Sequence, residues 1–240
     1  MTAFNENKPS ALQGAGGEIY GYVDSVYGGS GVDGKGLRVV VFFSGCNLRC
    51  PFCHNPETLY KEGARYTVEE LVKKINRYKP YLKRGGVTLS GGEPFLQKEF
   101  ALNLIAALKN NGISTCIETN GQIADLELIA AAEYIICDVK NQENKDLSVY
   151  HKFLQACEKC GARVELTNVL VPTKNDSDAS FSDLKQLYLS HDVSEGIRFL
   201  PFRKLCSEKY EKLNKAFAYA DIDEAENEDI MRAERYFFGI

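Results

Sequence analysis

The 240-residue sequence has no apolar run long enough to cross a bilayer. Its most apolar block, Val39-Val40-Val41-Phe42-Phe43, falls far short of the roughly 20 residues a spanning helix needs. Residues 1–17 hold no basic stretch followed by an apolar one, so nothing there reads as an export signal. The expectation is a soluble, cytoplasmic protein that touches no membrane. An excess of positive charge is missing too: 29 Lys and Arg face 33 Asp and Glu, a formal net charge of −4, which leaves no global field to recruit nucleic acid. Prolines number only 7, while 44% of residues are hydrophobic and 26% carry charge of both signs, so a disordered polymer is excluded and a sizeable core is available. The length suits one domain on the scale at which α/β barrels form a single unit.

What the sequence does have is cysteine, 8 in all. Without an export signal, and with Cys46, Cys50 and Cys53 crowded together, metal or redox chemistry is the better reading than a disulfide framework. Cys116, Cys137, Cys157, Cys160 and Cys206 are scattered, as buried core cysteines usually are. Cys157 and Cys160 fall near the apolar face of a predicted helix with Tyr150, Phe153 and Leu154, which favours packing over a second metal site.

Residues 1–17 lack periodicity and read as a mobile arm, with residues 18–240 as a single domain. Strand-like and helix-like segments then alternate. Strands are predicted over 37–43, 87–89, 113–118, 134–139, 163–171 and 196–200, and helices over 67–78, 97–111, 125–132, 148–160 and 181–190. In the first helix Val68, Leu71, Val72, Ile75 and Tyr78 make one apolar face behind a Thr67–Glu70 capping box. Six repeats of this kind imply parallel pairing through right-handed crossovers, in a barrel, a partial barrel or an open doubly wound sheet. Either way a ligand belongs at the C-terminal ends of the strands. The acidic stretch 221–229 reads as a solvated face.

The loop after the first strand runs Gly45-Cys46-Asn47-Leu48-Arg49-Cys50-Pro51-Phe52-Cys53-His54-Asn55. Three thiolates at this spacing can hold three irons of a [4Fe–4S] cluster, which leaves the fourth open to a substrate group. The alternative is a zinc site formed by the three cysteines with His54, but His54 directly follows Cys53, which makes joint tetrahedral ligation awkward. The second strand ends in Ser90-Gly91-Gly92-Glu93-Pro94, where the glycines let backbone approach a ligand and Glu93 supplies a carboxylate. Asp138 and Lys140 stand two apart on one strand and so share a face. Taken alone that pair also fits a solvated rim.

The three-cysteine loop and the Gly-Gly-Glu-Pro turn together resemble the radical S-adenosylmethionine (SAM) superfamily. The chain is most similar to its glycyl-radical-enzyme activating family, whose type is the pyruvate formate-lyase activator. Residues 31–38 resemble that family's Val-Asp-Gly-x-Gly-x-Arg lead-in to the first strand, and residues 43–55 its cluster loop. Thr119-Asn120-Gly121, Asp138-Val139-Lys140, residues 169–172, Leu200-Pro201 and then Leu205, Lys209, Tyr210 and Leu213 continue the match. The resemblance spans residues 18–213 and lacks any cysteine-rich insert after the cluster loop.

The resemblance implies a partial (β/α)6 barrel and an oxidoreductase in which Cys46, Cys50 and Cys53 ligate one [4Fe–4S] cluster. It implies that backbone around Phe52, Cys53 and His54 meets the adenine of SAM, that the Gly91-Gly92-Glu93 turn meets its methionyl amine, and that Asp138, Val139 and Lys140 serve ribose and carboxylate. Glu118 and Arg203 complete the cofactor set, and Asp33 contacts a glycine loop of the partner protein. The implied partner is a glycyl radical enzyme, pyruvate formate-lyase first, with reduced flavodoxin or ferredoxin as electron donor to a monomeric activator. The chain departs from the type at Glu118, where the family has Asp, at Thr167, where it has Arg, and at Phe202-Arg203, where it has Tyr-His; residues 141–148 are also short. Another radical SAM reaction, such as activation of an anaerobic ribonucleotide reductase, and a non-catalytic zinc-binding module are the alternatives.

Overall fold

The computed structural model describes residues 12–13, 19–142 and 146–239. Of the expected arm, only Leu12–Gln13 is among them, as strand β1 paired with the next strand; the rest lies outside the described residues. The elements in chain order are β2 (Ile19–Ser30), β3 (Arg38–Phe43), β4 (Ala64–Thr67), α1 (Val68–Asn76), β5 (Gly86–Gly91), α2 (Lys98–Asn110), β6 (Thr115–Thr119), α3 (Leu126–Ala131), β7 (Tyr134–Asp138), α4 (Ser148–Cys160), β8 (Val164–Leu170), α5 (Asp178–Leu189), β9 (Ile197–Pro201), α6 (Ser207–Lys212) and α7 (Asn227–Phe238).

Six strands, β3-β5-β6-β7-β8-β9, pair in parallel in chain order, and the antiparallel β1, β2 and β4 extend the β3 edge. Among the described residues no pairing closes β9 back onto the first edge, which is the partial (β/α)6 barrel expected. The parallel strands read as continuous apolar runs because both faces are covered: Val39, Val40, Val41, Val87, Leu89, Ile117, Ile135 and Leu166 are all inaccessible to solvent. Outside the sheet, α2 buries Phe100, Ala101, Leu104, Ile105 and Leu108, the stripe its spacing predicts. The α1 capping box is present, with Glu70 N donating to Thr67 Oγ1 at 3.1 Å and Thr67 N to Glu70 Oε2 at 2.8 Å. No helix among the described residues is long and apolar enough to cross a membrane.

Inside the barrel Cys116, Tyr134 and Ile136 form a small buried group separate from the main core. Arg38, 1% exposed, donates to Thr88 Oγ1 (3.1 Å) and the Val87 carbonyl (2.6 Å), with its guanidinium 5.5 Å from the centre of the Tyr134 ring. Residues 31–37 lead from β2 to the start of β3 and are held by two bonds from this group. Lys35 N donates to Tyr134 Oη at 2.6 Å and Thr88 Oγ1 to the Asp33 carbonyl at 2.6 Å. These bonds fix Asp33 at the lumen.

Candidate functional site

The cysteine loop leaves β3 through Gly45, whose φ of 101° a side chain would disfavour. Gly45 N donates to the Thr58 carbonyl at 2.8 Å and Cys46 N to the Leu59 carbonyl at 3.2 Å, so the loop folds back on its own exit. The turn after β5 lies directly on it. Gly92 N donates to the Phe43 carbonyl (2.8 Å) and Glu93 N to the Gly45 carbonyl (2.9 Å). A Cβ on Gly92 would stand 2.1 Å from the Gly45 carbonyl oxygen, so glycine is required for the two backbones to meet.

One cavity opens between these loops at the C-terminal ends of the strands. Its wall includes Cys46, Cys50, Phe52, Cys53 and His54 from the first loop, Ser90, Gly91 and Gly92 from the second, Glu118 and Asn120 from the third, Asp138 and Lys140 from the fourth, and Asp33 from the lead-in to β3. Of the residues singled out from the sequence, Glu93, Val139 and Arg203 do not line it. Val139 is fully buried and joins β7 to β8, its N–H on the Thr167 carbonyl at 2.8 Å and its carbonyl accepting from Asn168 Nδ2 at 2.7 Å. Arg203 turns away to the Ala225 carbonyl, while its own carbonyl accepts from His54 Nε2 at 2.7 Å.

Glu93 is fully buried under the cavity floor. Its Oε1 accepts from Phe95 N (3.1 Å) and Thr119 Oγ1 (2.9 Å), and its Oε2 from Asn120 N (2.8 Å). Burial pushes its carboxyl up to about 7 despite these donors. The turn it pins presents Asn120, whose Nδ2 donates to Asn47 Oδ1 at 2.8 Å and reaches Cys46 Sγ at 3.8 Å. Sequence reasoning quoted Thr119-Asn120-Gly121 as a motif and gave Asn120 no role; the contact joins residues 74 apart, beyond any local pattern.

The three thiols are free of disulfides. Burial raises Cys46 and carries Cys53 up to about 11, so ligation must displace their protons, as a metal does. A single tetrahedral zinc would draw the sulfurs to within about 4 Å of one another, given Zn–S bonds of about 2.3 Å. His54 Nε2 is committed to the Arg203 carbonyl, and His54 directly follows Cys53, which makes it awkward for its remaining ring nitrogen to join the three sulfurs on one tetrahedral ion. Three free thiols on the wall of an open cavity fit a multi-iron cluster.

Opposite the thiols, Lys140 and Asp138 form an ion pair with each side chain 16% exposed. Burial opposes the Lys140 ammonium, yet the Asp138 carboxylate and Cys50 hold it above its ordinary value. Lys140 N donates to Tyr150 Oη at 2.8 Å, and Nζ lies 5.4 Å from the centre of the Phe52 ring. The second oxygen of Asp138, Oδ1, is buried without a partner, as is Thr167 Oγ1 on the paired strand position. Unsatisfied buried acceptors of this kind mark where a ligand's donors fit. Glu118 accepts from Ser90 Oγ at 2.5 Å; burial, with Asp33 and Asp138 nearby, lifts its carboxyl to about 7.

The chain's C-terminal segment closes the back of the cysteine loop. Lys209 Nζ donates to the His54 carbonyl (3.0 Å), Asn55 Oδ1 (2.8 Å) and Glu57 Oε1 (2.6 Å). Phe52 stacks on Tyr219 with centroids 6.0 Å apart, inside a small apolar cluster with Val171 and Phe202.

Comparison with known proteins agrees with this geometry. A family model described as a 4Fe-4S single cluster domain matches residues 32–153. The chain is 36% identical over 231 residues to the pyruvate formate-lyase-activating enzyme of Clostridium pasteurianum, covering 91% of this chain and 97% of that one. It is 34% identical over 239 residues to the enzyme of the same name from Staphylococcus aureus strain USA300, covering 91% and 95%. Among solved structures, a radical SAM methyltransferase from Sphaerobacter thermophilus superposes with a TM-score of 0.57 over 95% of this chain and 72% of that one, at 18% identity, a likeness of fold.

Proposed function

The chain belongs to the family of pyruvate formate-lyase-activating enzymes, and from that premise we propose that it installs the glycyl radical of pyruvate formate-lyase. It is a radical SAM enzyme that uses a [4Fe–4S] cluster. The observation that carries the assignment of roles is the convergence of three free thiols, the Gly91-Gly92 turn and the unsatisfied Asp138 carboxylate on one cavity. A cluster held by Cys46, Cys50 and Cys53 would supply the one electron that reductive cleavage of SAM to methionine requires, and abstraction of the glycine Cα hydrogen, which yields 5′-deoxyadenosine, would draw on that chemistry.

The chain's own residues then divide the work. Cys46, Cys50 and Cys53 hold the irons, and Asn120 and the Leu48 amide, 3.4 Å from Cys46 Sγ, orient the first of them. Backbone at Phe52, Cys53 and His54 meets the adenine, and Gly91 and Gly92 admit the methionyl amine without a Cβ in the way. Lys140 donates to the methionyl carboxylate, Asp138 Oδ1 accepts a ribose hydroxyl, and Val139 aims both side chains into the lumen through its bonds to β8. Glu118 keeps a proton close to neutral pH and so spares Asp33 and Asp138 a third adjacent negative charge. Glu93 and Arg203 act from behind, through Asn120 and His54. Asp33, at the open side of the lumen, meets the partner's glycine loop. Reduced flavodoxin or ferredoxin delivers the electron, and the enzyme works as a cytoplasmic monomer.

The test is electron paramagnetic resonance of anaerobically reconstituted protein with SAM, a reductant and pyruvate formate-lyase, alongside a 5′-deoxyadenosine assay. A glycyl radical matched by 5′-deoxyadenosine supports the assignment. Deoxyadenosine without a glycyl radical on this partner, but with one on an anaerobic ribonucleotide reductase, would reassign the target. Asp33→Ala should lower radical transfer while leaving uncoupled SAM cleavage near its normal rate; equal loss of both would remove Asp33 from the docking role.

A further inference from the structure

The proposed reaction consumes one electron from outside the chain, and the lumen side of the cysteine loop is committed to SAM and the partner's glycine. The outer side of that loop has a different chemistry. Arg49, exposed between Cys46 and Cys50, lays its guanidinium 4.8 Å from the centre of the Tyr60 ring. Lys215, following α6, places Nζ 4.2 Å from the same ring, and Tyr60 itself is 43% exposed. Next to it Lys61 places Nζ 4.4 Å from the Tyr22 ring centre, and its Cβ lies 3.8 Å from where a side chain on Gly45 would begin. Among the described residues none of these three cations has a carboxylate within 4.0 Å. The aromatic rings hold them in place without neutralising them.

We propose that Arg49, Lys61 and Lys215, arrayed on Tyr60 and Tyr22 outside the cluster loop, form the docking surface for an acidic one-electron carrier protein. The inference rests on the radical SAM reading above. Asp24, Glu62 and Glu211 lie nearby in the chain, but none pairs with the three cations. Because the whole chain carries −4, an acidic carrier is repelled by the molecule at large and attracted here, beside the irons, which is the arrangement that steers an encounter and fixes its orientation. A longer basic run exists: between Glu70 and Glu93 the sequence holds Lys73, Lys74, Arg77, Lys79, Lys83 and Arg84 and no acid. That run sits at the opposite pole, where the Arg84 carbonyl abuts Gly36 and Gly85 abuts Leu37. The length of β3 puts about 16 Å between that pole and the cluster loop. Electron transfer falls steeply with distance, so the weaker patch beside the irons serves the reaction and the stronger one supplies a control.

The experiment measures SAM cleavage by the cluster-loaded enzyme with two reductants: reduced flavodoxin, an acidic carrier, and a photoreduced deazaflavin, small and uncharged. Arg49 is left intact because its Nη1 also donates to the Cys46 and Leu48 carbonyls, both at 2.7 Å. The variant is Lys61→Glu with Lys215→Glu, and the matched control is Lys79→Glu with Lys83→Glu. At low ionic strength the variant should lose about tenfold of the flavodoxin-supported rate and show a flatter salt dependence. Its deazaflavin-supported rate and iron content should match those of the unmodified enzyme, and the control should lose less than about twofold. An undiminished flavodoxin rate, an equal loss in the control, or a parallel loss with both reductants would overturn the surface. Failure of the unmodified protein to cleave SAM with either reductant would overturn the enzymatic reading, and this surface with it.

Discussion

Glu93→Gln is expected to remove a loss of stability that sets in as pH rises to 7, while impairing the protein as an enzyme. In the fold the Glu93 carboxyl gives up its proton at about 7, against 4.5 for an ordinary glutamate, with burial as the main cause. A folded value above the unfolded one means that the native state binds the extra proton. The associated stability is therefore complete below about pH 4.5 and is lost as pH rises to 7, by about 3 kcal/mol in total. Glutamine never ionises. Like the protonated acid it stays uncharged, but its amide carries two donors against the acid's one, so with the amide oxygen serving Phe95 N and Thr119 Oγ1 the Asn120 N–H loses its acceptor, at a cost of about 1–3 kcal/mol at every pH. At pH 5 the variant should therefore melt below the parent. Between pH 5 and pH 8 the difference should move by about 10 °C in the variant's favour, taking about 2–4 °C per kcal/mol for a chain of this size. Glu118 titrates over the same range in both proteins and cancels from the comparison. SAM cleavage should fall nonetheless, because the ionised carboxylate is the stronger acceptor for the Asn120 amide and so holds Asn120 on Asn47 and Cys46. Thermal unfolding of the cluster-free proteins at both pH values gives the first readout, and 5′-deoxyadenosine formation by the reconstituted ones the second. A melting difference identical at pH 5 and pH 8 would refute the titration argument, and unimpaired cleavage would refute the positional one.

Replacing Cys46, Cys50 or Cys53 singly by Ala should abolish SAM cleavage and drop bound iron below the about four per chain of one [4Fe–4S] cluster, whereas Cys157→Ala should keep that iron, since Cys157 is 2% exposed within the main core. Lys209→Met keeps the aliphatic stem but removes the three bonds to residues 54–57; a loss of about 1–2 kcal/mol and faster iron release to a chelator are expected, and unchanged release kinetics would show that the loop holds itself. Gly92→Ala puts a methyl 2.1 Å from the Gly45 carbonyl oxygen and should prevent cluster assembly, whereas Gly112→Ala, with a φ of 68° but nothing within 4 Å, should cost about 1 kcal/mol of stability and no activity.

The elements legible in the sequence are those whose signal is local. The α2 stripe, the Thr67–Glu70 box and the glycine stop of α4 at Gly161, φ 61°, all follow from spacing within a few residues. The β2 strand was missed because Tyr20-Gly21-Tyr22 and Gly28-Gly29-Ser30 read as loop composition. Gly21 is there because the Phe100 ring packs where its Cβ would stand, 2.1 Å away, a constraint set by α2 almost 80 residues on. Helix α7 was missed for the opposite reason. It buries only Ala233 and Phe237, and its leading acids, read as a solvated face, cap its first turn through Glu226 and Asp229. The three thiols proposed as cluster ligands were legible because they stand in one short loop. The supports of that loop, Asn120 and Lys209, come from far along the chain, and only the fold brings them to it.

The charge of the lumen follows from the same constraints. Asp138 is neutralised by Lys140, which leaves Asp33 and a half-protonated Glu118 as the remaining acids of the wall and no second lysine or arginine to oppose them among the described lining residues. A low-dielectric cavity with that balance favours a cation, and the sulfonium of SAM is a fixed one that no change of pH removes. Cleavage consumes this charge, since the incoming electron and the sulfonium yield a neutral thioether and a neutral nucleoside. The wall therefore attracts the substrate more strongly than either product. An aspartate in place of Glu118 would weaken the proton retention that burial gives the longer side chain's carboxyl beside Ser90, and would bring the lumen closer to two full negative charges.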